Sequence, residues 1–231
     1  MVKKVGAFLR LSEAVPRALD VACGTGQSTV ALKAIASRVV GIDVSREMLA
    51  RAPLEAGVRY VEAQAEDLPF GDGAFGLVTV ALALHWFDRS RFLAEARRVL
   101  EPSGWLTIYD NGFFGEMKGN PKHERWYRED YLARYPIPPR NKEPLTEDQR
   151  RKHGLRLLGK EGYNNEVSFS VEELSGYLVT QSNVIAAVES GAESLEDVRE
   201  WLVGSLAPVF GRARGTFRFG GTIEYLQATV F

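Results

Sequence analysis

The sequence predicts an α/β fold: a doubly wound, mostly parallel, seven-stranded sheet with a lid inserted after the fifth strand. Three observations carry this reading. Short apolar runs alternate with helix-compatible stretches across residues 17–110, the pattern of parallel strands joined by right-handed crossovers. The fourth run, residues 75–84, is almost continuously apolar; it is shorter than the roughly 20 residues of a membrane helix and fits a central strand buried on both faces. The last run, residues 217–229, alternates polar and apolar side chains, which suits a less buried antiparallel strand. At 231 residues, 1–231 is expected to be one domain with a full core.

The first strand rises through Ala18 and Leu19 to Asp20 and then collapses into Val21, Ala22, Cys23, Gly24, Thr25 and Gly26. Glycine at 24 and 26 removes the Cβ atoms that block a ligand's approach to the backbone. Gln27 opens a helix over 27–36, and the free N–H groups of a helix start favour anionic or polar ligand atoms. Strand, glycine turn and helix start together make a nucleotide-type site. The dinucleotide fingerprint wants a third glycine where this chain has Thr29, and Asp20 would repel a pyrophosphate. The second strand, residues 38–43, ends in Asp43, placed to accept both hydroxyls of a ribose. Ser45 then caps a helix to about residue 54.

A third strand, 58–63, leads to Gln64, Ala65, Glu66 and Asp67, with Asp67 read as solvated and Leu68-Pro69-Phe70 as a tight apolar turn. Gly71-Asp72-Gly73 is a plain turn signal. The fourth strand runs out at His85-Trp86-Phe87-Asp88, at the carboxyl edge where open α/β sheets bind ligands. A helix from Asp88 to Leu100 carries Phe92, Leu93, Ala96, Val99 and Leu100 on one stripe, leaving Arg97 and Arg98 to solvent. Residues 105–110 make the fifth strand.

The stretch Asp-Val-Ala-Cys-Gly-Thr-Gly, the acid at 43 and the Ala-Glu-Asp-Leu-Pro-Phe segment resemble the Rossmann-like S-adenosylmethionine-dependent methyltransferases. The resemblance covers residues 17–110. His-Trp-Phe-Asp at 85–88 is similar to the small-molecule branch of that family, which includes the methyltransferase type 11 and trans-aconitate methyltransferase-like proteins. Two departures are visible: Ala22 replaces the family's first glycine, and Gln64 replaces its usual acid. The resemblance implies a cofactor, S-adenosyl-L-methionine, converted to S-adenosyl-L-homocysteine. It implies cofactor contacts at Asp20, Ala22, Cys23, Gly24, Gly26, Gln27, Asp43, Val44, Met48, Gln64, Ala65, Glu66, Ala81 and Leu82. His85 is expected to be a base or a pocket residue, its ordinary pKa near 6.5 suiting neutral pH. Trp86 is expected to be a wall that attracts a sulfonium. The family's last strand inserts beside the fifth, antiparallel to it.

Residues 111–162 are dense in aromatics and longer than one crossover needs, so they are expected to form a lid over the strand ends. Trp86, Phe113, Phe114, Trp126 and Tyr127 are the expected substrate contacts. The basic stretch 150–156 reads as a solvated helix face. A sixth strand at 166–171 gives way to a helix capped by Ser170 and Glu173, with helices over 172–190 and 194–207. Only about 16 residues precede the first strand, and Val5, Phe8, Leu9 and Val15 are expected to form a shortened cover for the cofactor.

A net charge of −1 argues against a general nucleic-acid binder. The one cysteine, Cys23, cannot pair within the chain, and no hydrophobic leader follows Met1; the reducing cytoplasm is the expected compartment. No membrane association is expected, and a monomer or homodimer is. The three histidines, His85, His123 and His153, show no metal-ligand spacing, so no metal is expected. Direct in-line methyl transfer to an oxygen, nitrogen or carbon nucleophile of a small molecule follows from the resemblance. The alternatives are an RNA or protein methyltransferase and a non-catalytic S-adenosylmethionine-binding protein. An NAD-dependent oxidoreductase is a remoter one.

Overall fold

The computed structural model describes residues 1–139, 141 and 143–229. In chain order its elements are α1 Val2–Phe8, β1 Val15–Val21, α2 Gln27–Leu32, β2 Ala36–Asp43, α3 Arg46–Ala50, β3 Val58–Glu62, β4 Phe75–Ala81, α4 Arg89–Val99 and β5 Leu100–Tyr109. There follow β6 Gly112–Met117, α5 Pro121–Trp126, α6 Leu132–Arg134, α7 Glu147–Lys152, β7 Leu155–Phe169, α8 Val171–Leu178, α9 Ser182–Glu189, α10 Leu195–Phe210 and β8 Gly215–Ala228. The residues gather into two compact units: Met1–Asn111 with Asn141–Gly162 and Thr222–Phe231, and Gly112–Arg140 with Tyr163–Gly221. The stretch 111–162 read as one lid is therefore divided, 112–140 falling in the second unit and 141–162 in the first.

In the first unit, β1 pairs in parallel with both β2 and β4, β2 with β3, and β4 with β5. Residues 223–227 of β8 run antiparallel beside β5. Leu19, Val78, Val80 and Leu106 on the strands pack with Phe92, Leu93 and Ala96 of α4 in one buried cluster. Each such side chain contributes about 1.5–3 kcal/mol on burial. The Asp88 carboxylate caps α4, accepting the N–H groups of Ser90 at 3.0 Å and Arg91 at 3.1 Å.

Eight strands occur among the described residues, one more than the sequence suggested. The extra strand is β6, whose aromatic run was taken for the start of the lid. Arg98 also departs from expectation. Its guanidinium donates to Phe70 O at 2.6 Å, Leu68 O at 2.9 Å and Glu95 at 2.7 Å, so it staples the 68–70 turn to α4; a five-donor fork can serve several carbonyls at once. Arg97 likewise donates to Thr229 O at 2.8 Å.

Nor does α1 supply the expected cover. Phe8 stacks on Tyr225 with ring centroids 3.8 Å apart and meets Trp105 edge-on at 6.1 Å, and Lys4 pairs with Glu161 at 3.1 Å. These contacts hold α1 against β5, β7 and β8.

The second unit is an aromatic core. Phe217 and Phe219 of β8 pack with Phe113, Trp126, Tyr131 and Tyr135, and β6 pairs antiparallel with β8. Ser170 and Glu173 form the capping box the sequence predicts at the start of α8. The expected helix over 172–190 is broken into α8 and α9. His123 is fully buried, one ring nitrogen 2.9 Å from Gly115 O and the other, Nε2, without a partner. Burial holds its pKa below the usual histidine value, with the Gly115 contact opposing. Below about pH 6.5 the unfolded chain binds a proton that the folded one refuses, so stability falls with pH there. Thermal melts between pH 7.5 and 5 are expected to show this decline, and His123→Phe to flatten it.

Candidate functional site

The carboxyl ends of β1, β2 and β4 converge on a pocket of about 390 Å3 in the first unit, within the usual range for small-ligand sites. Beneath it lies Asp20, fully buried. Its carboxylate accepts from the hydroxyls of Ser28 at 2.6 Å, Thr29 at 2.8 Å and Thr79 at 2.9 Å. Burial raises its pKa, the three hydroxyls oppose the rise, and the charge of Asp43 adds to it. Asp20, expected to contact the cofactor, lies outside the pocket lining, its oxygens accepting from these neighbours. Thr29, standing where a dinucleotide fold has its third glycine, is one of those neighbours.

Asp43 ends β2 at the pocket wall. One oxygen accepts the Gly24 N–H at 2.8 Å and the other the Ser45 N–H at 2.9 Å, so one carboxylate ties the glycine turn to the start of α3. Ser45 caps that helix as predicted, its hydroxyl accepting the Met48 N–H at 3.2 Å. Gly24 and Gly26 both have left-handed φ, +56° and +78°. A Cβ on Gly24 would meet only the Met48 sulfur at 3.9 Å, which leaves the backbone open, whereas one on Gly26 would enter the Tyr60 ring. Ala22, in the place of the family's first glycine, also has a left-handed φ of +55°.

Cys23 is buried, and burial together with the charge of Asp20 pushes its thiol up to about 12. It is therefore a small filler under the turn and not a nucleophile. Exposed apolar side chains surround the opening: Val44 is 65%, Trp86 61% and Leu82 44% exposed. A carboxylate, an open backbone and an apolar rim fit a nucleoside-bearing ligand.

Residues 19–108 match the family model described as a methyltransferase domain. The match takes in less than half of the chain, which over it is similar to the class I methyltransferases. A "Putative methyltransferase" of Dictyostelium discoideum is 28% identical over 192 residues, 80% of this chain and 72% of that protein. The demethylmenaquinone methyltransferase of Thermus thermophilus is 43% identical over 110 residues, 44% of this chain and 50% of that protein. The chain thus spans about half the length of that second relative. Among solved structures, a "Putative Type II Methyltransferase" from Anaeromyxobacter dehalogenans shares the fold with a TM-score of 0.68 at 23% identity, covering 98% of this chain and 95% of its own.

The pocket brings together Ala22, Asp43, Val44, Ala65, Glu66, Ala81, Leu82 and Trp86 of the residues expected from sequence. Glu66 has a second task, accepting the Asp88 N–H at 2.8 Å. Gln27 and Gln64 are exposed and Met48 is partly so, but they lie outside the lining. His85 is half-buried in the short turn Leu84–Trp86, its ring 5.0 Å from that of Trp86. Ala63, Ala83 and Phe87 also line the pocket and were missed; small or apolar, they give no chemical signal, and only their closeness to named residues could have found them.

Of the expected substrate residues, Trp86 lines the pocket of the first unit, and the other four lie in the second. Trp126 is buried beside Trp201 and Tyr131, Phe113 packs among Tyr127, Tyr177, Phe217 and Phe219, and Tyr127 fills the space above Gly115. Phe114 is partly exposed, with the Arg218 guanidinium 5.1 Å from its ring centre. Phe113, Trp126 and Tyr127 are thus part of the aromatic core of the second unit.

The two turn positions give a paired expectation. Gly26→Ala combines a left-handed penalty with a clash against Tyr60 and is expected to lower stability by about 2 kcal/mol or more. Ala22→Gly is expected to stay within about 0.5 kcal/mol of the parent, relief of left-handed strain offsetting the greater entropy of the unfolded chain. Urea melts of both variants check the contrast.

Proposed function

We propose that this methyltransferase takes S-adenosylmethionine as its donor and directs the methyl group, by in-line displacement, to an oxygen, nitrogen or carbon nucleophile of a small molecule. The observation that carries the proposal is Asp43: a carboxylate fixed by two backbone N–H groups at the wall of a pocket with an apolar rim. When bound, S-adenosylmethionine supplies a methyl on a sulfonium, already a good leaving group. The protein's part is to hold, align and dry the reactants.

Asp43 is placed to accept the ribose hydroxyls. Val44 and Leu82 offer apolar faces to a ring, and the backbone at Ala22 and Gly24 admits close approach. The Asp43 carboxylate at the pocket wall favours a cationic ligand and disfavours a pyrophosphate. Where the acceptor is a hydroxyl or an amine, His85 is the group proposed to take its proton; a carboxylate acceptor, ionised at neutral pH, needs no base. The name of the Thermus relative and the near-neutral charge of this chain support a small-molecule acceptor over a nucleic acid. Among the described residues no helix is long and apolar enough to cross a membrane. The free cysteine suits a reducing compartment such as the cytoplasm.

S-adenosylhomocysteine at 100 times its dissociation constant is expected to stabilise the protein by about 2.7 kcal/mol, a melting shift of roughly 5–10 °C for a chain of this size. Asp43→Asn is expected to weaken binding about 10–100-fold through loss of charge-assisted hydrogen bonds. A shift with NADH and none with S-adenosylhomocysteine overturns the proposal.

A further inference from the structure

Three arginines share one face of the sheet near the amino ends of its strands. Arg17 of β1 stands directly opposite Arg38 of β2, in the register that sets Leu19 opposite Val40. Arg59 of β3 stands opposite Val40, two residues on from Arg38, so it is the diagonal neighbour of Arg38 on the same face. Neighbouring strands lie about 4.8 Å apart and successive residues rise about 3.3 Å. The three side chains are therefore close enough to meet one bound molecule.

All three are exposed, and none belongs to an ion pair among the described residues. Arg17 rests against the Phe75 ring, its guanidinium carbon 4.9 Å from the ring centre, a contact that steadies the group and leaves its N–H fork open. Glu55 lines the groove that Arg59 also lines, and Glu101 stands against Gly76 of β4. Neither carboxylate pairs with an arginine of the row.

Like charges side by side on a sheet are destabilising. Protection of an open edge explains a cation on β3, the terminal strand. It does not explain those on β1 and β2, which have a strand on either side. A bound anion turns the same repulsion into attraction, and arginine forks take phosphate oxygens two at a time. The row is open and not a cleft, so a single small anion meets one fork, whereas linked phosphates meet all three.

We propose that Arg17, Arg38 and Arg59 form a binding site for an oligophosphate of three or more linked phosphates, carried by a nucleoside or as an inorganic chain. The site lies at the opposite end of the strands from the pocket that Asp43 lines, and it is cationic where that wall is anionic. Both sites can be filled at once.

Titration calorimetry with inorganic tripolyphosphate and with ATP, in metal-free buffer near physiological ionic strength, tests the proposal. Arg38→Gln, at the middle of the row, is expected to weaken tripolyphosphate binding roughly tenfold. Arg38→Lys, which keeps the charge and loses the fork, is expected to fall between that variant and the parent. Arg151→Gln, a cation elsewhere on the first unit, binds like the parent. Ligand-free Arg38→Gln is expected to melt no lower than the parent, because it loses a like-charge contact. Tighter binding of ATP than of tripolyphosphate assigns the site to a nucleotide, and the reverse assigns it to an inorganic chain. No binding of either by the parent, or an equal loss in Arg151→Gln, overturns the proposal. So does displacement of tripolyphosphate by S-adenosylhomocysteine, which would put the phosphates in the other pocket.

Discussion

A buried carboxylate governs the first unit. Asp20 has no exposed surface, and a charge or a neutral carboxyl in that place is costly unless its oxygens are satisfied. Ser28 and Thr29 on α2 and Thr79 on β4 satisfy them. The same three bonds fix where α2 begins and how β1 lies against β4. The glycine turn between Asp20 and α2 is thereby held at both ends. Its bond from Gly24 N–H to Asp43 then sets the second carboxylate at the pocket wall. The site is a consequence of polar satisfaction beneath it.

The first unit was largely legible because its signals are local. Apolar runs ending in an acid, glycines where φ is positive, and Ser45 as a cap each report on a few neighbouring residues, and β1 to β5 appear in the expected order. Helices were overread: α2 ends at Leu32 and α3 at Ala50, their continuations tightening into i→i−3 turns such as Ile35 N–H to Leu32 O and Ala52 N–H to Leu49 O. Asp20 was legible as the acid of the first strand, but not its burial beneath the turn. Its three hydroxyl partners, one of them 59 residues away, are invisible to a reading of neighbours.

Long-range packing defeated the rest. β7 spans Leu155–Phe169, where the expected strand covered only 166–171. Gly159 is there because a Cβ would enter the ring of Phe8, a partner on α1 that no window of sequence contains. The aromatics of 113–131 announced a cluster without saying what it covers; packing in the second unit occupies most of their surface. Ala22 and Leu82 give no sign in sequence of their left-handed backbone, since neither is a residue type that favours it.

The central claim is that the pocket at the ends of β1, β2 and β4 receives S-adenosylmethionine, and not the larger groove of about 800 Å3 lined by Arg46, Leu54 and Tyr60. Backbone amide NMR during titration with S-adenosylhomocysteine, with NADH as the control, tests it most directly. The account predicts saturable shifts at Ala22, Gly24, Asp43, Val44, Leu82 and Trp86 with the first ligand and none with the second. Shifts confined to the Arg46–Tyr60 groove, or a response to NADH alone, would contradict it.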